Sequence, residues 1–232
     1  MIREILQVPL TWIFRLNPHN CPEWIVSRIG IATAGSRRAF YTLDRIIRSM
    51  SNIEGSIAEC GVYRGSTLFG MTHLLEKRNC KVRLFGLDSF EGFPEPAKED
   101  RLPDGTIHLA AEKGHFNDTS YETIQRRARA LGFADRVTFF KGYFKDTLHN
   151  LQNEKFSLVH LDCDLYQSYM DCLEFFYDKV LPGGYIVFDE YSFSKDVYPG
   201  AQRAIDEFMQ DKPEKIQSFP EYADTRYFIF KK

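Results

Sequence analysis

The chain has 232 residues, of which 44% are hydrophobic and 27% charged, and its formal net charge is −2. That length suits one large α/β domain with a real core. The near-neutral balance gives no electrostatic footing for nucleic acid or an anionic membrane. Five cysteines without C-x-x-C spacing point to reduced thiols. No signal peptide is expected, because charge and proline sit where its apolar run would be, and no stretch is apolar enough to span a bilayer. A cytoplasmic protein is the expectation.

Residues 1–50 read as an N-terminal helical lid or arm, and residues 51–232 as the main domain. Trp12, Ile13, Phe14, Trp24 and Ile25 are apolar, but Pro9, Pro18 and Pro22 break any long helix. Such a segment could serve as a lid, a dimer arm or a membrane-surface piece, and its few basic residues favour the first two. From Ser36 to Met50, Phe40, Leu43, Ile46, Ile47 and Met50 recur at helical spacing.

The first strand, Ile57-Ala58, ends in Glu59, and Gly61 and Gly65 follow before a helix begins at Ser66. Strand, glycine turn and helix open a ligand crevice at the carboxyl end of a strand. The spacing is Glu-x-Gly-x-x-x-Gly, which fits neither a dinucleotide fingerprint nor a P-loop. The second strand, Val82 to Leu87, ends in Asp88, where a βαβ nucleotide fold places the carboxylate that receives ribose hydroxyls. Loop and carboxylate together suit an adenosine ligand.

About thirty residues then separate Asp88 from a helix at Tyr121–Leu131, a length typical of functional lids. His108 and His115 within it read as surface histidines, and Arg126, Arg127 and Arg129 as a solvated helix face. The third strand, Val137–Lys141, leads to Gly142-Tyr143, which could border a flat adenine or belong to the core. The fourth, Phe156–Leu161, runs into Asp162-Cys163-Asp164, with His160 read as a satisfied core residue. A helix bearing Met170, Leu173, Phe176 and Tyr177 should stop at Leu181-Pro182-Gly183-Gly184. The fifth strand, Tyr185–Phe188, ends in Asp189-Glu190. One more helix carries Ala201, Ala204, Ile205 and Phe208, and Ile216–Phe219 with Arg226–Phe230 reads as a closing antiparallel pair. The alternation calls for a mostly parallel seven-stranded sheet with helices on both faces and an antiparallel C-terminal strand.

Glu59, Asp88, Asp162 and Asp189–Glu190 all fall at strand carboxyl ends, which share one rim of an open parallel sheet. Asp162 and the Asp189–Glu190 doublet would repel one another unless a divalent cation lay between them. All-oxygen donors favour Mg²⁺, Ca²⁺ or Mn²⁺ over zinc.

Glu59-Cys60-Gly61-Val62-Tyr63-Arg64-Gly65, Asp88-Ser89-Phe90-Glu91-Gly92-Phe93-Pro94, Gly142-Tyr143-Phe144-Lys145-Asp146-Thr147 and Leu161-Asp162-Cys163-Asp164-Leu165-Tyr166 occur in this order. With Pro182-Gly183-Gly184 and Asp189-Glu190-Tyr191, they closely resemble the macrocin O-methyltransferase family over residues 36–211. The resemblance implies a Rossmann-like class I methyltransferase fold and S-adenosylmethionine as methyl donor. It also implies Mg²⁺ or another divalent cation, and a sugar hydroxyl of a glycosylated natural product as acceptor. It implies that Glu59, Gly61 and Gly65 hold the methionine part of the cofactor, Asp88 takes the ribose, and Gly142 and Tyr143 border the adenine. By the same resemblance Val62, Tyr63, Ser66, Ser89 and Asp162 also bind the cofactor. Asp162, Asp189 and Glu190 would be the metal ligands, with Asp162 also the proton acceptor. Glu190 stands where the family usually has aspartate, and Tyr63 where it commonly has tryptophan. A homo-oligomer is expected, with neither nucleic acid nor membrane as partner. Methylation of a phenol or catechol, and a non-catalytic adenosine-ligand module, remain the alternatives.

Overall fold

The computed structural model describes residues 34–50, 53–192, 195–219 and 226–232, with side chains from residue 41 onward. The arm expected over the first residues therefore lies, up to residue 33, outside the described residues. The elements are α1 (Ala34–Ser49), β1 (Ser56–Cys60), α2 (Ser66–Lys77), β2 (Leu84–Asp88), α3 (Tyr121–Leu131) and β3 (Val137–Lys141). They continue with α4 (Phe144–Thr147), β4 (Phe156–Leu161), α5 (Tyr166–Phe176), β5 (Val180–Phe188), α6 (Pro199–Met209) and β6 (Tyr227–Phe230).

The strands form one sheet in the order β3-β2-β1-β4-β5-β6. All neighbours are parallel except β5 and β6. Alternate residues of each buried strand serve different cores. Ile57, Leu84, Leu158 and Val187 face α1, α2 and α3, whereas Ala58, Phe85, Val159 and Ile186 face α5 and α6. Leu43, Ile46, Ile47 and Met50 are buried in the first of these cores, so α1 packs as part of the domain. No helix of the described residues is long and apolar enough to cross a membrane.

Two expectations need correction. The described residues hold six strands, not seven. Ile216–Phe219 contributes a single bridge, Gln217 to Phe228, closed by a reciprocal pair of 2.8 Å hydrogen bonds. Pro213 and Pro220 bracket that segment, and proline cannot donate to a ladder. Nor does Pro182-Gly183-Gly184 stop the fifth helix, because α5 has already ended at Phe176. Val180 pairs with Phe156 and Tyr185 with Leu158, so the Pro-Gly-Gly residues bulge within β5.

Candidate active site

β2 and β4 flank β1, and the chain turns outward in opposite directions from that point, which is where an open α/β sheet leaves a crevice. A cavity of ≈ 790 Å³ occupies it, toward the upper end of the roughly 300–1,000 Å³ typical of small-molecule sites. The loop after β1 forms one side. Gly61 has φ 92°, and a Cβ there would lie 1.8 Å from the Asp162 carbonyl oxygen. Only glycine lets β1 and β4 end so close together. Gly65 (φ 81°) starts α2, with Phe69 against its missing side chain.

Asp88 ties this loop to β2. Its Oδ2 accepts from the Tyr63 N–H (2.7 Å) and its Oδ1 from the Phe90 N–H (2.6 Å). Each carboxylate oxygen keeps a further lone pair, so Asp88 can still accept hydroxyl donors from the cavity it lines. Burial raises its pKa despite those bonds. Of the other residues expected to hold the cofactor, Gly61, Val62, Tyr63, Ser66, Ser89, Gly142 and Tyr143 also line the cavity, and Gly65 does not.

The floor is acidic. Asp162, Asp164 and Glu190 bring carboxylate oxygens within 4.8 Å of one another. Asp164 reaches this group through a left-handed turn (φ 58°), a conformation aspartate tolerates. The Tyr169 hydroxyl, on α5, contacts Glu190 Oε2 and the Leu161 carbonyl. Burial first, and repulsion from neighbouring carboxylates second, push all three acids well above the usual range. Such a set takes up either protons or a cation.

Asp189 is placed differently. Its Oδ1 accepts from Arg226 Nε (2.6 Å) and lies 3.3 Å from His160 Nε2. His160 Nδ1 in turn lies 3.0 Å from Glu59 Oε1. Glu59, His160, Asp189 and Arg226 thus form a buried row across β1, β4, β5 and the start of β6, on the face that carries α1. Burial disfavours the His160 cation, but hydrogen bonds to Asp189 and Glu59 outweigh it and raise the pKa to about 10. Burial raises Glu59 to about 7, against the pull of His160. Asp189 is lowered although burial opposes it, because Arg226 and His160 hold it anionic. Glu59 is 1% exposed and is not part of the cavity wall. The sequence carries a signal for this row: Glu59 and His160 interrupt apolar strands at facing register positions.

The long segment after Asp88 is a folded wall. Phe93 packs edge-on to Phe116 (5.3 Å) and to Tyr198 (6.3 Å). Gly92 backs onto the chain at Gly114 and His115, and Arg64 pairs with Asp118. His108 Nδ1 accepts from the Ala110 N–H, and His115 packs edge-on to Phe116. Neither histidine lines the cavity.

The profile of the macrocin O-methyltransferases matches residues 20–225. The chain belongs to that family. Among the family's relatives, mycinamicin III 3''-O-methyltransferase of Micromonospora griseorubida is 29% identical over 163 residues, 67% of this chain. Demethyldecarbamoylnovobiocin O-methyltransferase of Streptomyces niveus is 31% identical over 160 residues, 68% of this chain. The matched regions span 61% and 59% of those relatives. The O-methyltransferase NovP superposes with a TM-score of 0.69 at 24% identity, covering 84% of this chain and 80% of its own. The calicheamicin methyltransferase CalS11 gives 0.70 at 20% identity, covering 98% and 92%. At those identities the structural likeness establishes the fold, a class I methyltransferase with the C-terminal strand antiparallel.

Proposed function

We propose that this macrocin O-methyltransferase family member transfers a methyl group from S-adenosylmethionine to a hydroxyl of a glycosylated natural product, assisted by a divalent cation. The observation that carries the reading is the shared cavity. One side is the glycine loop with Asp88, suited to an adenosyl ligand, and the floor is the carboxylate set. Three all-oxygen donors that repel one another, Glu190 buried and Asp162 and Asp164 half-buried, fit a hard divalent ion. Asp162, Asp164 and Glu190 would hold it, with Asp189 beside them rather than among them. Glu190, longer by one methylene than aspartate, reaches the set while the Tyr169 hydroxyl donates to its Oε2.

When bound, the sulfonium supplies an electrophilic methyl group, and the cation lowers the pKa of the acceptor hydroxyl. Asp88 accepts the ribose hydroxyls, and the backbone from Gly61 to Ser66 approaches the methionine portion. Gly142 and Tyr143 border the adenine. Asp162 takes the hydroxyl proton on a carboxylate oxygen. Phe93, Phe116 and Tyr198 exclude water and align the acceptor, which supplies much of the rate. A cytoplasmic homo-oligomer completes the proposal, in keeping with four free cysteines among the described residues. Sedimentation measures the oligomer.

The relatives' names give the acceptors mycinamicin III and demethyldecarbamoylnovobiocin. Labelled S-adenosylmethionine offered with each of these and with catechol tests the reading. Label on a glycoside supports it. Label on catechol alone transfers the reading to phenol methylation, and absence of S-adenosylhomocysteine binding by calorimetry removes the cofactor site.

A further inference from the structure

Asp100 lies in the wall segment, at the end of a short 3-10 turn (Lys98–Asp100), and is 1% exposed without lining the cavity. Its Oδ1 accepts from the Tyr166 N–H at 2.8 Å, and its Oδ2 from the Ala97 N–H at 2.8 Å. Tyr166 is the first residue of α5, and Leu165, at the N-cap, has no side chain able to cap. The cap is supplied from 66 residues earlier in the chain. A carboxylate there also meets the positive end of the helix dipole.

The same oxygen touches a second helix start. A Cβ on Gly200 would lie 1.9 Å from Asp100 Oδ1 and 2.9 Å from Tyr166 Cβ. Residues just before both helix starts face the cavity: Asp162 and Asp164 before α5, and Tyr198 before Gly200. One buried carboxylate therefore joins the wall segment, the acidic floor and the Tyr198 flank from behind.

We propose that Asp100 is a positioning residue that fixes the acceptor side of the cavity, holding the wall segment and the Asp162–Asp164 turn in one register. The inference rests on the functional reading above, but its first readouts need no acceptor. Gly61, Asp88 and Tyr143, on the cofactor side, make none of these contacts, so the two sides separate experimentally.

The test compares wild type with Asp100→Ala and Gly200→Ala. The second variant keeps the carboxylate and displaces it. Gly200 has no left-handed backbone, and alanine is the better helix former, so any loss there reports crowding against Asp100 and Tyr166, and the comparison with Asp100→Ala isolates the carboxylate. Hydrogen exchange should accelerate together in 89–118 and 162–170 in both variants, while calorimetric S-adenosylhomocysteine Kd stays within about twofold. With the acceptor found in the panel above, KM should rise about tenfold or more, since a displaced wall and floor lose contacts made equally to the bound acceptor and the transition state. Asp100→Asn, which keeps one acceptor oxygen for Tyr166, should recover part of the loss. Exchange rising in the wall alone overturns the proposal. So does an S-adenosylhomocysteine Kd that weakens in step with KM, because that marks general destabilisation. If no acceptor is found, the functional reading fails by itself, and the exchange pattern still decides the role of Asp100.

Discussion

Replacing His160 by glutamine removes the one cation that separates Glu59 from Asp189 while keeping a similar volume. The cost can be worked in two ways. A rise from 6.5 to about 10 in the folded state corresponds to about 4–5 kcal/mol of stability at low pH, at about 1.4 kcal/mol per pH unit. Breaking a buried ion pair by removing one partner costs about 3–5 kcal/mol. Glutamine can still donate one hydrogen bond, so the lower end, about 3 kcal/mol at neutral pH, is expected. At about 2–4 °C per kcal/mol for a chain of this size, Tm falls by about 6–12 °C. The sign with pH follows from the raised pKa. The stability due to charged His160 is complete below pH 6.5 and disappears as pH rises through about 10. Denaturation curves of both proteins from pH 6 to pH 10 should therefore converge. A gap between them that stays constant across that range, or one below about 1 kcal/mol at pH 6, refutes the charged row.

Other outcomes follow from the site. Asp162→Asn should lower kcat by about 10²–10⁴, the usual range for a lost proton acceptor, with S-adenosylhomocysteine affinity little changed; near-wild-type turnover would remove Asp162 from catalysis. Gly61→Ala should cost about 1–2 kcal/mol from its left-handed backbone alone. The added methyl group, 1.8 Å from the Asp162 carbonyl, should also part β1 from β4. An unchanged urea midpoint with intact cofactor binding contradicts that geometry. Mg²⁺ at about 100 times its Kd should stabilise the protein by about 2.7 kcal/mol, reversibly with chelator. Asp164→Asn and Glu190→Gln should abolish the effect, and a Tm indifferent to Mg²⁺, Mn²⁺ and Ca²⁺ rules out the floor as a cation site.

Much of this was legible in the sequence. Strand-end acids and the glycine turn locate the crevice, because parallel strands deliver their carboxyl ends to one rim whatever the details of packing. Partnership across the sheet was harder. Asp189 follows β5 directly and Asp164 lies three residues past the end of β4, but neither position tells from sequence which partner it takes. Arg226, 37 residues beyond Asp189, draws one toward the buried row, while a left-handed turn swings the other toward Glu190. Glu59 sits two positions before Gly61, yet its register opposite His160 commits it to the sheet interior. Asp100 lies in a polar loop with no periodicity, and its burial depends on helix starts far along the chain. That the described residues hold no seventh strand is a matter of bracketing prolines, which apolar patterning alone does not weigh.

Arg226 has a further consequence for how the protein is made. Asp189 is laid down with the last parallel strand, but its guanidinium partner leaves the ribosome 37 residues later. Until then the nascent sheet carries a carboxylate facing an interior that lacks its main counterion. The sheet's chemistry is therefore settled only when the final antiparallel strand docks, and a chain released short of Arg226 should be unable to close its own centre.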